Sequence, residues 1–173
     1  LVLAAVLAAL ARRPVLAASL GWLVCLIRPE AWPFAAGYAW REARAGRLRA
    51  WPVAVGAVLV AVLWFGPDLL GAGDALEGAR RAREGTGSPP AEALEVFGRA
   101  AELVPAALWL GALWAGALAF GAVRAGTAGE RERATAALAA GALAWIALVA
   151  VLAAGGYAGL PRFMAPPAAL ACV

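Results

Sequence analysis

Two long runs without a charged residue constrain this chain more than any other feature. Residues 104–123 and 134–155 consist mostly of Ala, Leu, Gly and Val. A helix on the surface of a soluble bundle needs a polar face, and these runs have none. About 20 apolar residues in a helix match the thickness of a bilayer core. The runs therefore predict an all-α, polytopic membrane protein.

The composition supports the same class. Hydrophobic residues make up 64% of the chain and the mean hydropathy is +0.79, whereas a soluble domain is close to half apolar. Histidine is absent, which excludes His-based catalysis and most metal sites within these residues. Cys25 and Cys172 lie in apolar runs and are interpreted as small hydrophobic residues. We expect no metal, no cofactor and no nucleic-acid partner.

Prolines and arginines divide the first third of the chain into short helices. The run 1–11 meets Arg12 and Arg13, and Pro14 suits the first position of a new helix. That helix, about 14–27, and the next, about 30–41, would reach roughly 21 and 18 Å at 1.5 Å per residue. Both are shorter than a bilayer core, which predicts a short helix hairpin.

Longer helices are predicted in the rest of the chain. A fourth begins at Trp51-Pro52 and ends within "WFGPDLL", and the two uncharged runs supply the fifth and sixth. We expect six to seven spans or part-spans in one transmembrane domain, 1–173. Because the chain begins at Leu1 and ends at Val173 inside apolar runs, it is expected to be an internal fragment of a longer protein.

The one substantial polar stretch is predicted to be an extracytoplasmic loop, 67–97. Asp74 and Glu77 have the spacing of a capping box for a short helix over 74–84. Residues 91–103 carry apolar side chains on one face, as in a helix that lies on the membrane surface.

Arginine counts predict the orientation. Nine arginines fall near 12–13, 41–49 and 124–133, and alternation of the spans places these segments on one side. The other side holds six, including Arg28 and Arg162. The richer side is predicted to be cytoplasmic, so both of these arginines face outward.

Arg28 and Arg162 are the candidate binding residues. Arg162 lies between Pro161 and Pro166, which restrict the backbone on both sides. A guanidinium pairs bidentately with phosphate, which favours a lipid-phosphate contact. The alternative for each arginine is an interface anchor that extends to the lipid headgroups.

Two stretches resemble a known family. "LIRPEAWPF" and "GLPRFMAPPAAL" are similar to motifs of the polytopic glycosyltransferases of the C superfamily, which include protein mannosyltransferases that use dolichyl or polyprenyl phosphate sugars. The resemblance implies that Arg28 and Arg162 contact the donor phosphate and that Glu30 orients Arg28. Phe163 stands where the family more often has Tyr. The family's catalytic base, an aspartate in the first external loop, would precede Leu1, so the catalytic residue is unknown here.

The resulting hypothesis is a multi-pass plasma-membrane glycosyltransferase that uses a polyprenyl-phosphate-linked sugar on the extracytoplasmic face. Its expected partners are membrane lipid and this donor. One alternative is a multi-span transporter, which predicts ionisable residues inside the spans. The four longest runs contain none, which counts against it. The other alternative is a membrane protein without catalytic activity, in which every arginine is an anchor.

Overall fold

The structure is a computed structural model that describes residues 1–81, 95, 98, 101–156 and 161–172. These residues form helices and turns and no strand, which confirms the all-α prediction. The chain forms two compact units, 1–84 and 85–173, and each is described by itself. The helices are α1 Val2–Leu10, α2 Pro14–Ile27, α3 Trp32–Arg44, α4 Ala50–Ala72, α5 Glu77–Arg81, α6 Ala106–Arg124, α7 Glu130–Ala154 and α8 Ala165–Ala171, with 3₁₀ turns at Pro29–Ala31 and Pro161–Met164.

Three helices of the described residues are long and apolar enough to cross a membrane: α4, α6 and α7, with 23, 19 and 25 residues. This is fewer than the six to seven spans or part-spans predicted. The difference lies in α1, α2, α3 and α8, which have only 9, 14, 13 and 7 residues. The longest of them, α2, reaches about 21 Å, whereas a bilayer core is about 30 Å thick.

The prolines mark helix starts as predicted, but one lies inside a helix. Pro14 is the first residue of α2 and Pro52 lies in the first turn of α4. Pro67 lies within α4, which continues to Ala72 and ends at Gly73 in the left-handed conformation (φ 71°). The first six residues of the predicted loop 67–97 are therefore helical.

Within the predicted short helix over 74–84, α5 covers Glu77–Arg81, and residues 82–84 lie outside the described residues. The Asp74 carboxylate accepts a hydrogen bond from the Leu76 N–H at 2.9 Å, as a helix-capping side chain does. Glu77, the second residue of the predicted capping box, pairs with Arg80 and Arg81 instead. Most of the predicted surface helix 91–103 lies outside the described residues.

In the first unit, α2 packs against α1, α3 and α4. Its contact with α4 depends on a glycine: an added Cβ at Gly56 would come within 2.5 Å of the indole nitrogen of Trp22. The ring of Trp22 therefore lies directly against the α4 backbone. No larger residue fits at position 56 without moving this ring.

Two corners of the first unit use the same helix-ending motif. At the end of α3, the Gly46 N–H donates to Ala43 and the Arg47 N–H to Glu42, with Gly46 at φ 70°. At the end of α1, the equivalent left-handed residue is Arg12, with φ 55°. A non-glycine residue here is uncommon, so this corner carries backbone strain.

In the second unit, α6 and α7 lie side by side and α8 packs against α7. A Cβ at Gly116 would come within 2.9 Å of Ala139 Cβ, so the two long helices approach closely where both side chains are small. Trp145 and Val149 of α7 are buried. This part of α7 supports the turn that precedes α8.

The Gly56–Trp22 contact predicts the effect of two matched substitutions in α4. Gly56→Ala should lower the free energy of unfolding by about 1–3 kcal/mol, because the new methyl group overlaps the Trp22 ring. Gly71→Ala should be neutral or stabilise by up to about 1 kcal/mol, because position 71 has no neighbour within 4 Å and alanine favours helix. Unfolding in detergent micelles measures both. Equal stabilities for the two variants would contradict the proposed contact.

Candidate functional site

A carbonyl in the last turn of α2, just before the turn that carries Arg28, lacks its usual partner. In a continuous helix the Cys25 carbonyl would accept the N–H of residue 29, but Pro29 has no N–H. The indole N–H groups of Trp32 and Trp64 take its place, each with a nitrogen–oxygen distance of 3.0 Å. The end of α2 is thereby joined to the start of α3 and to the middle of α4.

The aromatic rings support these two hydrogen bonds. The ring centres of Trp32 and Trp64 lie 6.2 Å apart in an edge-to-face arrangement, and those of Trp32 and Phe65 lie 5.7 Å apart in the same arrangement. Both geometries are favourable for aromatic pairs. The Pro29–Ala31 turn is therefore held from two helices.

Arg28 and Glu30 lie in this turn. The Arg28 carbonyl accepts the Ala31 N–H at 3.0 Å, which closes the turn. Arg28 is half-buried, whereas Glu30 is only 2% exposed. Both side chains interact with other groups, although Nη1 of Arg28 and Oε2 of Glu30 make no hydrogen bond within the described part of the chain. That Glu30 orients Arg28 stays a prediction.

The turn that carries Arg162 is also held by a tryptophan N–H. The N–H groups that could reach the Phe163 carbonyl from positions 166 and 167 are missing, because both residues are proline. The indole N–H of Trp145 donates to this carbonyl at 2.9 Å, in a buried position. This turn is therefore fixed to α7.

Arg162 itself is exposed, whereas Phe163 and Met164 are buried. The guanidinium carbon lies 5.3 Å from the centre of the Phe163 ring, within range of a cation–π contact. Phe163 thus anchors the turn through its carbonyl and contacts the arginine through its ring. The supporting role of Phe163 in donor binding stays a prediction.

An apolar groove of about 640 Å³ lies within the second unit. It is bounded by α6, α7 and the end of α8, where Leu170, Ala171 and the following Cys172 line it. Nearly all lining side chains are apolar; Thr135 is one of the few polar ones. The volume falls within the range of about 300–1,000 Å³ that is typical of ligand pockets.

The acidic residues near α5 form local contacts. Asp68 accepts the Gly78 N–H at 2.8 Å, and Asp74 pairs with Arg80 at 2.9 Å in addition to its capping bond. The Arg80 guanidinium beside Glu77 lowers the pKa of that carboxyl. These contacts are those of a helix cap and a surface ion-pair cluster, as the sequence predicts for Asp74.

Sequence reasoning missed the role of Trp32 and Trp64 as hydrogen-bond donors. A proline four residues after a helical carbonyl was the available signal, because it removes the donor of that carbonyl. The same signal stands at Phe163 and Pro167. Which tryptophan supplies the new donor is a tertiary feature that spacing does not reveal.

No protein-family model, no curated protein and no solved structure matches the chain. Within the described residues there is also no group of three or more His, Cys, Asp or Glu side chains that could hold a metal ion.

Because Trp32 and Trp64 both donate to the Cys25 carbonyl, we predict that substitutions of the two tryptophans have non-additive effects on stability. Trp32→Phe or Trp64→Phe alone should cost about 0.5–1.5 kcal/mol, because one indole donor remains at Cys25. The double variant should cost about 1–3 kcal/mol more than the sum, because a buried carbonyl then has no donor. Denaturant unfolding of the four proteins measures the coupling, with Trp114→Phe, an exposed position, as the control. Additive losses would contradict joint donation.

Proposed function

We propose that the chain is part of a membrane-embedded glycosyltransferase, a multi-pass protein of the plasma membrane, that takes sugar from a polyprenyl-phosphate donor on the extracytoplasmic face. One observation carries the proposal. Arg28 and Arg162, the two arginines of the family-like motifs, both lie at proline-containing 3₁₀ turns. Tryptophan N–H groups hold a carbonyl near each arginine: that of Cys25 in the last turn of α2, and that of Phe163 within the second turn. An arginine that serves only as an interface anchor has no need of a fixed turn.

In the proposed reaction an acceptor oxygen attacks the anomeric carbon of the sugar. The bond from this carbon to the phosphate oxygen breaks, and polyprenyl phosphate leaves with the electron pair. A carboxylate outside these residues takes the acceptor proton. Arg28 and Arg162 would stabilise the growing negative charge on the phosphate, and fixed donors are most effective because they need not reorganise.

The Phe163 ring favours this role for Arg162. The contact between the Arg162 guanidinium and this ring would restrict the arginine side chain, whose N–H groups can donate to a phosphate in a bidentate manner. Glu30, which is buried and two residues after Arg28, would hold that arginine in a fixed position.

The apolar groove supports a lipid-linked donor. The Arg162 turn leads directly into α8, whose last residues line the groove. Arg162 and Leu170 are eight residues apart, roughly 12 Å along a helix. A phosphate at the turn and an isoprenoid chain in the groove would therefore suit one amphiphilic molecule.

The positions of charged residues do not favour the transporter alternative. In α6 the charge is Arg124, the last residue, and in α7 the charges lie in 130–133, the first turn. In α4 the charged residue is Asp68, close to the end of the helix, where it caps α5. Ion-coupled transport calls for ionisable groups near the membrane centre.

Substitution of Arg162 tests the proposal. Arg162→Ala removes charge-assisted hydrogen bonds worth about 1.5–3 kcal/mol, so sugar transfer should fall roughly 10- to 150-fold. Arg162→Lys keeps the charge but loses the bidentate fork, so it should lie between the alanine variant and the wild type. Transfer from a polyprenyl-phosphate sugar in membranes that contain the full-length protein measures the effect.

The same two changes at Arg28 provide a parallel test, and those at Arg80 provide the control. Arg80 forms surface ion pairs with Asp74 and Glu77, so its variants should keep full activity at equal protein level. If Arg162→Ala and Arg28→Ala transfer sugar as well as the wild type, the arginines are anchors and the proposed phosphate site is wrong.

A further inference from the structure

The corner between α3 and α4 carries an unusual concentration of positive charge. Residues 41–49 contain four arginines and one glutamate, a formal net charge of +3 within nine residues. By comparison, residues 124–133 between α6 and α7 contain three arginines and two glutamates, a net charge of +1. The charge at the first corner is therefore largely uncompensated.

This corner lies where a membrane helix begins. Arg49 is the N-cap of α4, the 23-residue apolar helix, and Trp51 in its first turn is 65% exposed. Trp40, in the last two turns of α3, is 61% exposed. Exposed tryptophans beside the end of a span are typical of the headgroup region of a bilayer.

Two of the arginines are positioned by aromatic rings. The guanidinium carbon of Arg44 lies 4.5 Å from the Trp40 ring centre, and that of Arg41 lies 5.6 Å from the Tyr38 ring centre. Both distances are within range of a cation–π contact. The N–H groups of an arginine held in this way suit a phosphate group at the membrane surface.

Glu42 positions Arg41 and Arg47 at this corner. Its buried carboxylate accepts Nε and Nη2 of Arg47 at 2.6 and 3.1 Å, and Nη2 of Arg41 at 2.9 Å. These hydrogen bonds, with that of Arg47 first, lower the pKa of the Glu42 carboxyl, so it remains charged at neutral pH. The side chains of Arg41 and Arg47 are nevertheless 69% and 55% exposed. Glu42 thus holds both guanidinium groups at the surface while it cancels one charge.

We propose that the arginine corner, residues 41–49 with Trp40 and Trp51, is a binding site for the phosphate headgroups of anionic phospholipids. Clusters of four or more basic residues directly beside a membrane helix attract anionic lipids, and the exposed tryptophans place this cluster at headgroup depth. The site is independent of the proposed sugar transfer, since it uses neither Arg28 nor Arg162.

A short-chain phosphatidylglycerol, titrated into the protein in zwitterionic micelles, tests the site by its dissociation constant. Arg44→Gln and Arg49→Gln should each weaken binding roughly fivefold. Glu42→Gln should strengthen it by a similar factor, because an acid is removed and Arg41 and Arg47 are released from it. Arg131→Gln and Arg133→Gln, in the nearly neutral 124–133 segment, should change it less than twofold.

Competition distinguishes a lipid site from a site for a soluble anion. Glycerol phosphate and inorganic phosphate, which lack the chains that hold the headgroup at the membrane surface, should not displace the lipid at equal concentration. Displacement by either would overturn the proposal, as would wild-type affinity in Arg44→Gln and Arg49→Gln. Because Arg44 and Arg49 are exposed, their variants decide the question even if Glu42→Gln destabilises the corner.

Discussion

The first unit depends on the carbonyl of Cys25. Pro29 deprives it of its helical donor, and in an apolar environment an unsatisfied backbone carbonyl costs several kcal/mol. Trp32 and Trp64 satisfy it together, so one oxygen atom joins the end of α2, the start of α3 and α4. The close Gly56–Trp22 contact is a second junction between α2 and α4.

The second unit uses the same solution independently. Phe163 has prolines at the third and fourth positions after it, and its carbonyl accepts the Trp145 N–H. In the first unit Pro29 ends the helical hydrogen bonding of α2, whereas in the second Pro166 and Pro167 lie in the first turn of α8. In both units a tryptophan N–H donates to a carbonyl that a proline cannot serve. A short 3₁₀ turn lies at or shortly after each of these carbonyls, and an arginine lies at each turn.

Much of the fold could be predicted from the sequence because helix starts and apolar runs are local properties. Pro14 and Pro52 mark the starts of α2 and α4, and the two uncharged runs correspond to α6 and α7. α7 begins four residues earlier than predicted, at Glu130, because glutamates suit the first turn of a helix. The indole–carbonyl bonds and the Trp22–Gly56 contact depend on packing between helices, which spacing alone does not encode. The roles of Arg28, Glu30, Arg162 and Phe163 stay predictions.

The most direct test of this account observes the Cys25 carbonyl itself. The chain has two cysteines, so Cys172→Ala followed by growth on carbonyl-¹³C-cysteine labels this carbonyl alone. Two indole donors should lower its amide I frequency in the infrared spectrum, and the frequency should rise when both Trp32 and Trp64 are replaced by Phe. A single-substitution protein should lie between. An identical frequency in all four proteins would show that the indoles do not hold this carbonyl and would contradict the account.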